Sequence, residues 1–181
     1  MPPRVGQVPR SSGLRPLADA GYHLLAPDRR GYGRSPAAEG EDFLRDAEDI
    51  AALMGEGAHL VGHSYSGLGV LCAAALRPEA TRSLTLLEPA AFALGQHHPA
   101  GRALVDQVRR MWDQDIPDQQ WVVGFLKAVG SDPDEFPPDF LAAALPLVPV
   151  FRRGRPLWYP DLPLAQAATT PRARRRRTHH R

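Results

Sequence analysis

The sequence predicts an α/β protein: a parallel sheet at the core, followed by a helical layer. Three observations carry this. Short apolar runs at 22–26 (YHLLA), 59–61 (HLV) and 83–87 (SLTLL) alternate with amphipathic stretches at 41–54 and 68–76. Each run is closed by a breaker: Pro27-Asp28, Gly62 and Glu88-Pro89. Beyond Pro89 the apolar residues keep helical spacing and no further strand pattern occurs.

The elements follow in order. Residues 1–12 are rich in Pro, Arg, Ser and Gly and show no period, which reads as a flexible lead. Residues 13–20 (GLRPLADA) suit a short helix, and 22–26 read as a buried strand. After the turn-rich stretch 28–40, Phe43, Ala47, Ile50, Ala51 and Met54 fall three or four apart, and Gly55 and Gly57 end the helix. Residues 59–61 form a second strand, 62–66 a turn, and Leu68, Leu71, Cys72, Ala75 and Leu76 a second helical stripe that stops at Pro78. Residues 83–87 form the third strand. Strand, helix, strand, helix, strand suits right-handed crossovers and parallel pairing. Leu104, Val108, Met111 and Trp112 mark a further helix, Trp121, Val122, Phe125, Leu126 and Val129 another, and 140–148 a third. The organisation expected is a lead at 1–12, a core at 13–95, a helical cap at 96–160 and a disordered basic tail at 161–181.

Composition narrows the function classes. The chain has 181 residues, 43% of them hydrophobic, with 22 basic against 20 acidic side chains. That suits one globular domain and excludes coiled-coil and collagen architectures. One cysteine, Cys72, cannot form an internal disulfide, and its place on a helical apolar stripe marks it as an inert core thiol. No apolar run reaches the roughly 18 residues needed to cross a bilayer, and the first residues lack a signal-peptide core, so a cytoplasmic protein without membrane partners is expected. Lys127 is the sole lysine, and six arginines fall in the last eleven residues, PRARRRRTHHR; the remainder has 16 basic against 20 acidic residues. The basic character is therefore that of a tail. No aromatic platform accompanies it, so a solvated end is expected rather than a nucleic-acid partner.

The chemistry is carried by 59–67 (HLVGHSYSG). A strand enters a tight turn and a helix leaves it, lifting the Ser64 hydroxyl to the carboxyl end of the sheet. Small residues on either side let the chain fold back, and the new helix points its positive end at the same spot. The Tyr65 N–H then faces an oxyanion formed on a substrate attacked by Ser64. This segment resembles the nucleophile elbow of the α/β-hydrolase superfamily, G-x-S-x-G: Gly62 and Ser64 match, Ser66 stands for the last glycine, and Gly67 follows one step late. Residues 28–35 (DRRGYGRS) are similar to the D-x-R-G-x-G-x-S loop after the family's fourth strand, with every fixed position present. Asp28 and Arg30 are expected to hold that loop rather than to catalyse.

The resemblance implies a partial α/β-hydrolase fold comprising strands four to six, the elbow and the cap, with both ends truncated or replaced. It implies a serine hydrolase acting on a small ester-like substrate without metal or organic cofactor; the alternative is an inactive fragment lacking the histidine base. In the family the triad runs Ser, acid, His. Glu88, at the end of the sixth strand, is the candidate acid, as in haloalkane dehalogenases, and Asp161 is the weaker one. No histidine falls at the family position. His63 is expected to pack behind the elbow, His97 and His98 come too early, and His179 and His180 lie in the tail. A strand-three segment is also missing from the lead, which leaves a gap beside the nucleophile strand.

Overall fold

Among the described residues the β-structure consists of two separate pairs of strands. The computed structural model describes Val5–Gly6 and residues 14–169. In the first pair, β1 (Val5–Gly6) runs antiparallel to β2 (Ala26–Pro27), with the exposed helix α1 (Arg15–Asp19) between them in sequence. In the second, β3 (Ala58–His63) runs parallel to β4 (Thr81–Leu87), as the alternation predicts, with His63 opposite Leu87.

The helices between these strands form for local reasons. In α2 (Phe43–Leu53), Asp42 is the N-cap and its carboxylate accepts from the Leu44 N–H at 3.0 Å. The buried face carries Phe43, Ala47 and Ala51 at the predicted spacing. α3 (Tyr65–Leu76) is apolar nearly all round, as a helix enclosed by its neighbours must be. It packs against α2 on one side and β3 and β4 on the other. Phe43, Leu68, Ala73 and Ala74 at its contacts are wholly buried. Cys72 is buried there too, and desolvation pushes its thiol up to about 11, which keeps it protonated and inert.

Beyond β4 the regular elements among the described residues are helical: α4 (Phe92–Gly95), α5 (Pro99–Trp112), α6 (Asp118–Ala128), α7 (Pro138–Ala144), α8 (Val148–Arg152) and α9 (Leu164–Ala167). These residues form a second core around Val108, Met111, Trp121, Val122 and Val148. An aromatic set joins the two cores. Phe151 lies 4.9 Å from Trp112, 5.2 Å from Phe125 and 6.0 Å from Tyr65 between ring centroids, all edge-on. Polar links reinforce the junction. Arg155 grips the Asp42 carboxylate with two bonds of 2.7 Å, holding it below the ordinary carboxylate range, and the Glu41 N–H donates to the Val150 carbonyl.

Two expectations change. The run 22–26 is not a buried strand: only Ala26 enters a ladder, and Tyr22 and Leu25 are about half exposed. An apolar run becomes a strand only where a neighbour pairs its backbone, and here the pairing covers two residues. Among the described residues β2 and β3 do not pair, so the gap expected beside β3 remains. The stretch expected to be tail from residue 161 includes α9, which packs on α3 and buries Ala167. Residues 170–181, with the arginine run, His179 and His180, lie outside the described residues, as does the lead apart from Val5–Gly6.

Candidate functional site

Ser64 stands at the junction of β3 and α3 with φ 51° and ψ −123°, a left-handed backbone that a residue with a Cβ rarely adopts. Such strain costs about 1–3 kcal/mol and persists only where the surroundings enforce it. The enforcement is visible. The Ser64 N–H donates to the Leu87 carbonyl at 3.0 Å, and the Ser64 carbonyl accepts from Gly67 at 3.0 Å and Ala90 at 3.1 Å. Gly62 is obligatory, since a Cβ there would lie 2.7 Å from the Ser66 carbonyl oxygen and 2.8 Å from the Gly67 Cα. Gly67 is tight as well, because a Cβ would lie 2.8 Å from that of Pro89. The smallness the turn requires thus falls on 62 and 67, and Ser66 fits between them. Ser64 is exposed, and its Oγ has no hydrogen-bonded partner among the described residues. Tyr65 opens α3, so its N–H is among those at the helix start that lack an intrahelical acceptor.

Glu88 follows β4 directly, is exposed, and has φ 44°. It and Ser64 are the two positive-φ residues other than glycine among the described residues. They sit on neighbouring turns: the bonds from Ser64 to Leu87 and Ala90 bracket Glu88. Both strained residues therefore share the carboxyl edge of the β3–β4 pair.

Behind the elbow, the loop that follows β2 holds itself. The Asp28 carboxylate accepts from the Arg34 N–H at 3.1 Å, and the Ser35 hydroxyl donates to the Asp28 carbonyl at 2.7 Å. Gly33 has φ 52°, and a Cβ on it would meet the Asp28 carboxylate at 2.5 Å. Arg30 makes a two-bond pair with Asp49 on α2, at 2.6 and 2.8 Å. Asp28 and Arg30 thus hold the loop, as the sequence predicts.

The residue between them, Arg29, was not singled out by the sequence. Its guanidinium bonds Glu41 at 2.9 Å, pairs with Asp46 at 3.5 Å, and lies over two rings, Tyr32 at 4.4 Å and Tyr65 at 4.6 Å. Glu41 and Asp46 are both buried. Desolvation pushes the Asp46 carboxyl up to about 6, and burial likewise raises Glu41, each against the attraction of Arg29. Burial, then the Glu41 and Asp46 charges, drive the Tyr65 phenol upward, so it stays neutral. One signal for Asp46 existed: a carboxylate three residues after Phe43 stands on the apolar stripe of α2.

No histidine is hydrogen-bonded to Ser64 among the described residues. His63 is exposed beside it rather than packed behind the elbow. His59 bonds Ser83 at 2.7 Å. His97 is exposed, and His98 caps α5, its Nδ1 accepting from the Ala100 N–H at 3.3 Å. Asp161 is exposed in the coil before α9. No helix among the described residues is long and apolar enough to cross a membrane.

Residues 7–179 match the profile of the Alpha/beta hydrolase family. The chain is 40% identical over 73 residues to the AB hydrolase superfamily protein YfhM of Bacillus subtilis, covering 36% of this chain and 26% of that protein. It is 38% identical over 90 residues to Epoxide hydrolase A of Mycobacterium tuberculosis, covering 46% and 28%. It is 39% identical over 71 residues to Lipase LipV of the same organism, covering 37% and 27%. The matched segments thus span less than a third of these relatives. No solved structure matches the chain.

Proposed function

The chain belongs to the α/β hydrolase family, and on that premise we propose that it is a serine hydrolase cleaving small ester-like substrates. The observation that supports this is the enforced left-handed turn at Ser64, which holds an exposed, unpartnered hydroxyl beside the first N–H of α3. Ser64 Oγ attacks the acyl carbon, the carbonyl π electrons move onto oxygen, and the Tyr65 N–H donates to that oxyanion. Collapse expels the alcohol, which leaves with the proton that the Ser64 hydroxyl gives up, and an acyl ester remains on Ser64. Water attacks that ester, releases the acid and restores the hydroxyl. Glu88, on the adjoining turn, is the triad acid of this reading, and the helices from α5 to α8 are its cap, bounding the substrate.

Serine chemistry also argues against epoxide opening, although two relatives carry that name. A carboxylate that opens an epoxide forms an ester, which water can cleave. A serine alkoxide would form an ether, which water does not cleave, and the enzyme would stall after one event.

Incubating the intact chain with a fluorophosphonate probe tests the reading. One covalent adduct is expected, on Ser64, and none on Ser64→Ala. A folded wild-type chain that takes no adduct, or a Ser64→Ala chain that still takes one, overturns it. A second reading, a family member without turnover, has its support in the absence of a histidine bonded to Ser64 among the described residues. It predicts at most one equivalent of alcohol released per chain from an activated ester, whereas hydrolysis releases many.

A further inference from the structure

We propose that the seam between the two cores is a pH-sensitive clasp, closed while the buried carboxyls of Glu41 and Asp46 share a proton and loosened when that proton leaves. The proposal stands apart from the serine-hydrolase reading, because neither carboxyl takes part in the chemistry at Ser64.

The clasp is formed by residues 39–42, which lead into α2, and residues 150–155, at the end of α8 and just beyond it. Two backbone bonds cross it: the Glu41 N–H donates to the Val150 carbonyl at 3.0 Å, and the Arg155 N–H to the Glu41 carbonyl at 2.6 Å. The two segments lie backbone against backbone. A Cβ on Gly154 would stand 2.8 Å from the Glu41 carbonyl oxygen and 2.9 Å from its Cβ, and one on Gly40 would stand 2.5 Å from the Arg153 carbonyl oxygen. Phe151 and Tyr159 extend the cover, edge-on to Tyr65 and Phe43. Residues 150–159 thus help to keep water from Glu41, whose side chain is 1% exposed.

Under that cover one guanidinium faces two carboxylates. Arg29 bonds Glu41 at 2.9 Å and reaches Asp46, 7% exposed, at 3.5 Å. The neighbouring charges are engaged elsewhere. Asp42 is paired with Arg155 and Asp49 with Arg30, while Arg153 donates to the Glu39 carbonyl. The Tyr65 phenol, which also faces the pair, stays neutral. Fully ionised, Arg29, Glu41 and Asp46 hold one uncompensated negative charge out of water, which is costly; a proton shared by the two carboxyls removes it. Burial accordingly raises both carboxyls, Asp46 to about 6. Lifting residues 153–155 lets water reach Glu41 and removes the reason to hold the proton. The closed seam therefore binds the proton more tightly than the open one. Closure is favoured below the raised range, and opening gains as pH rises through about 6.

Hydrogen exchange at the Glu41 and Arg155 amides, measured on the intact chain, tests the clasp. Each rate divided by the rate of an unstructured amide at the same pH gives the fraction of time open. That fraction is expected to rise about tenfold from about pH 5 to about pH 7, while the Val70 and Leu71 amides within α3 stay more protected. Glu41→Gln keeps the shape and an oxygen for Arg29 but removes the excess charge, so the rise is expected to vanish. If Glu41→Gln does not fold, Asp46→Asn is expected to give the same flat profile. A wild-type fraction that does not change with pH, or a rise that persists in the variant, overturns the proposal. So does an equal rise at the seam and in α3, because pH then acts on the whole fold and not on the clasp.

Discussion

Residues 22–26 and 58–63 begin as similar apolar runs and end in different states. The first leaves Tyr22 and Leu25 about half exposed and contributes one residue to a two-residue ladder. The second is a six-residue strand, paired along its length with β4 and covered by α3 on one face. Local composition does not separate them. The second has a partner strand reached through a short crossover helix, and that helix buries the strand as it passes. A run of apolar residues is a strand only on condition that something else in the chain completes it.

Substitutions can break or sharpen this contrast. The largest effect is expected in the completed unit. Phe43→Ala removes a wholly buried ring packed on Tyr65 and Tyr159, and should cost about 3–5 kcal/mol in urea unfolding. Leu25→Ala, in the uncompleted run, should cost no more than about 0.5 kcal/mol. Equal costs would erase the distinction.

A smaller effect depends on pH. Asp46 faces Arg29 and Glu41, with Asp42 and Asp49 nearby on the chain's acidic side of α2, and its carboxyl is raised from 3.8 to about 6. The folded state therefore holds that proton more tightly than the unfolded chain. The stability it contributes is complete below about pH 3.8 and is lost as pH rises through about 6. Asp46→Asn should flatten unfolding free energy across that window and raise it above pH 7, by up to about 3 kcal/mol. An identical pH profile in the variant would show that Asp46 is not the group that titrates there.

The smallest effect concerns the two strained turns. Ser64→Gly and Glu88→Gly relieve positive φ values, and each should stabilise the chain by up to about 1 kcal/mol in thermal or urea unfolding. A loss in either case would mean that the side chain contributes more than its backbone costs. Ser64→Gly should also abolish labelling.

Much of the framework was legible because its signals are local. The 3.6-residue stripe and the Gly55 and Pro78 breakers placed α2 and α3, and β4 was found within two residues of its start. The elbow was legible because a strand, a glycine two residues before a serine, and an apolar helix are consecutive in the chain. Its true constraint was not. The sequence could not say that Gly67, one step late in the pattern, is needed because Pro89 comes to lie against it from 22 residues away. Likewise α9 carries too few apolar residues to announce itself, and is fixed by the α3 surface it meets.

What the sequence by itself determined is the order of elements, the identity of the turn and the serine on it, all consequences of neighbours within a few residues. The tertiary structure alone decided which apolar run became a strand, that Ser64 and Glu88 share one edge, and that Arg29 meets Tyr65 between Glu41 and Asp46. Those outcomes depend on backbone pairing, desolvation and ring stacking between residues 12 to 36 apart in the chain. Such terms take their value from where the fold brings the partners, and no local pattern encodes them.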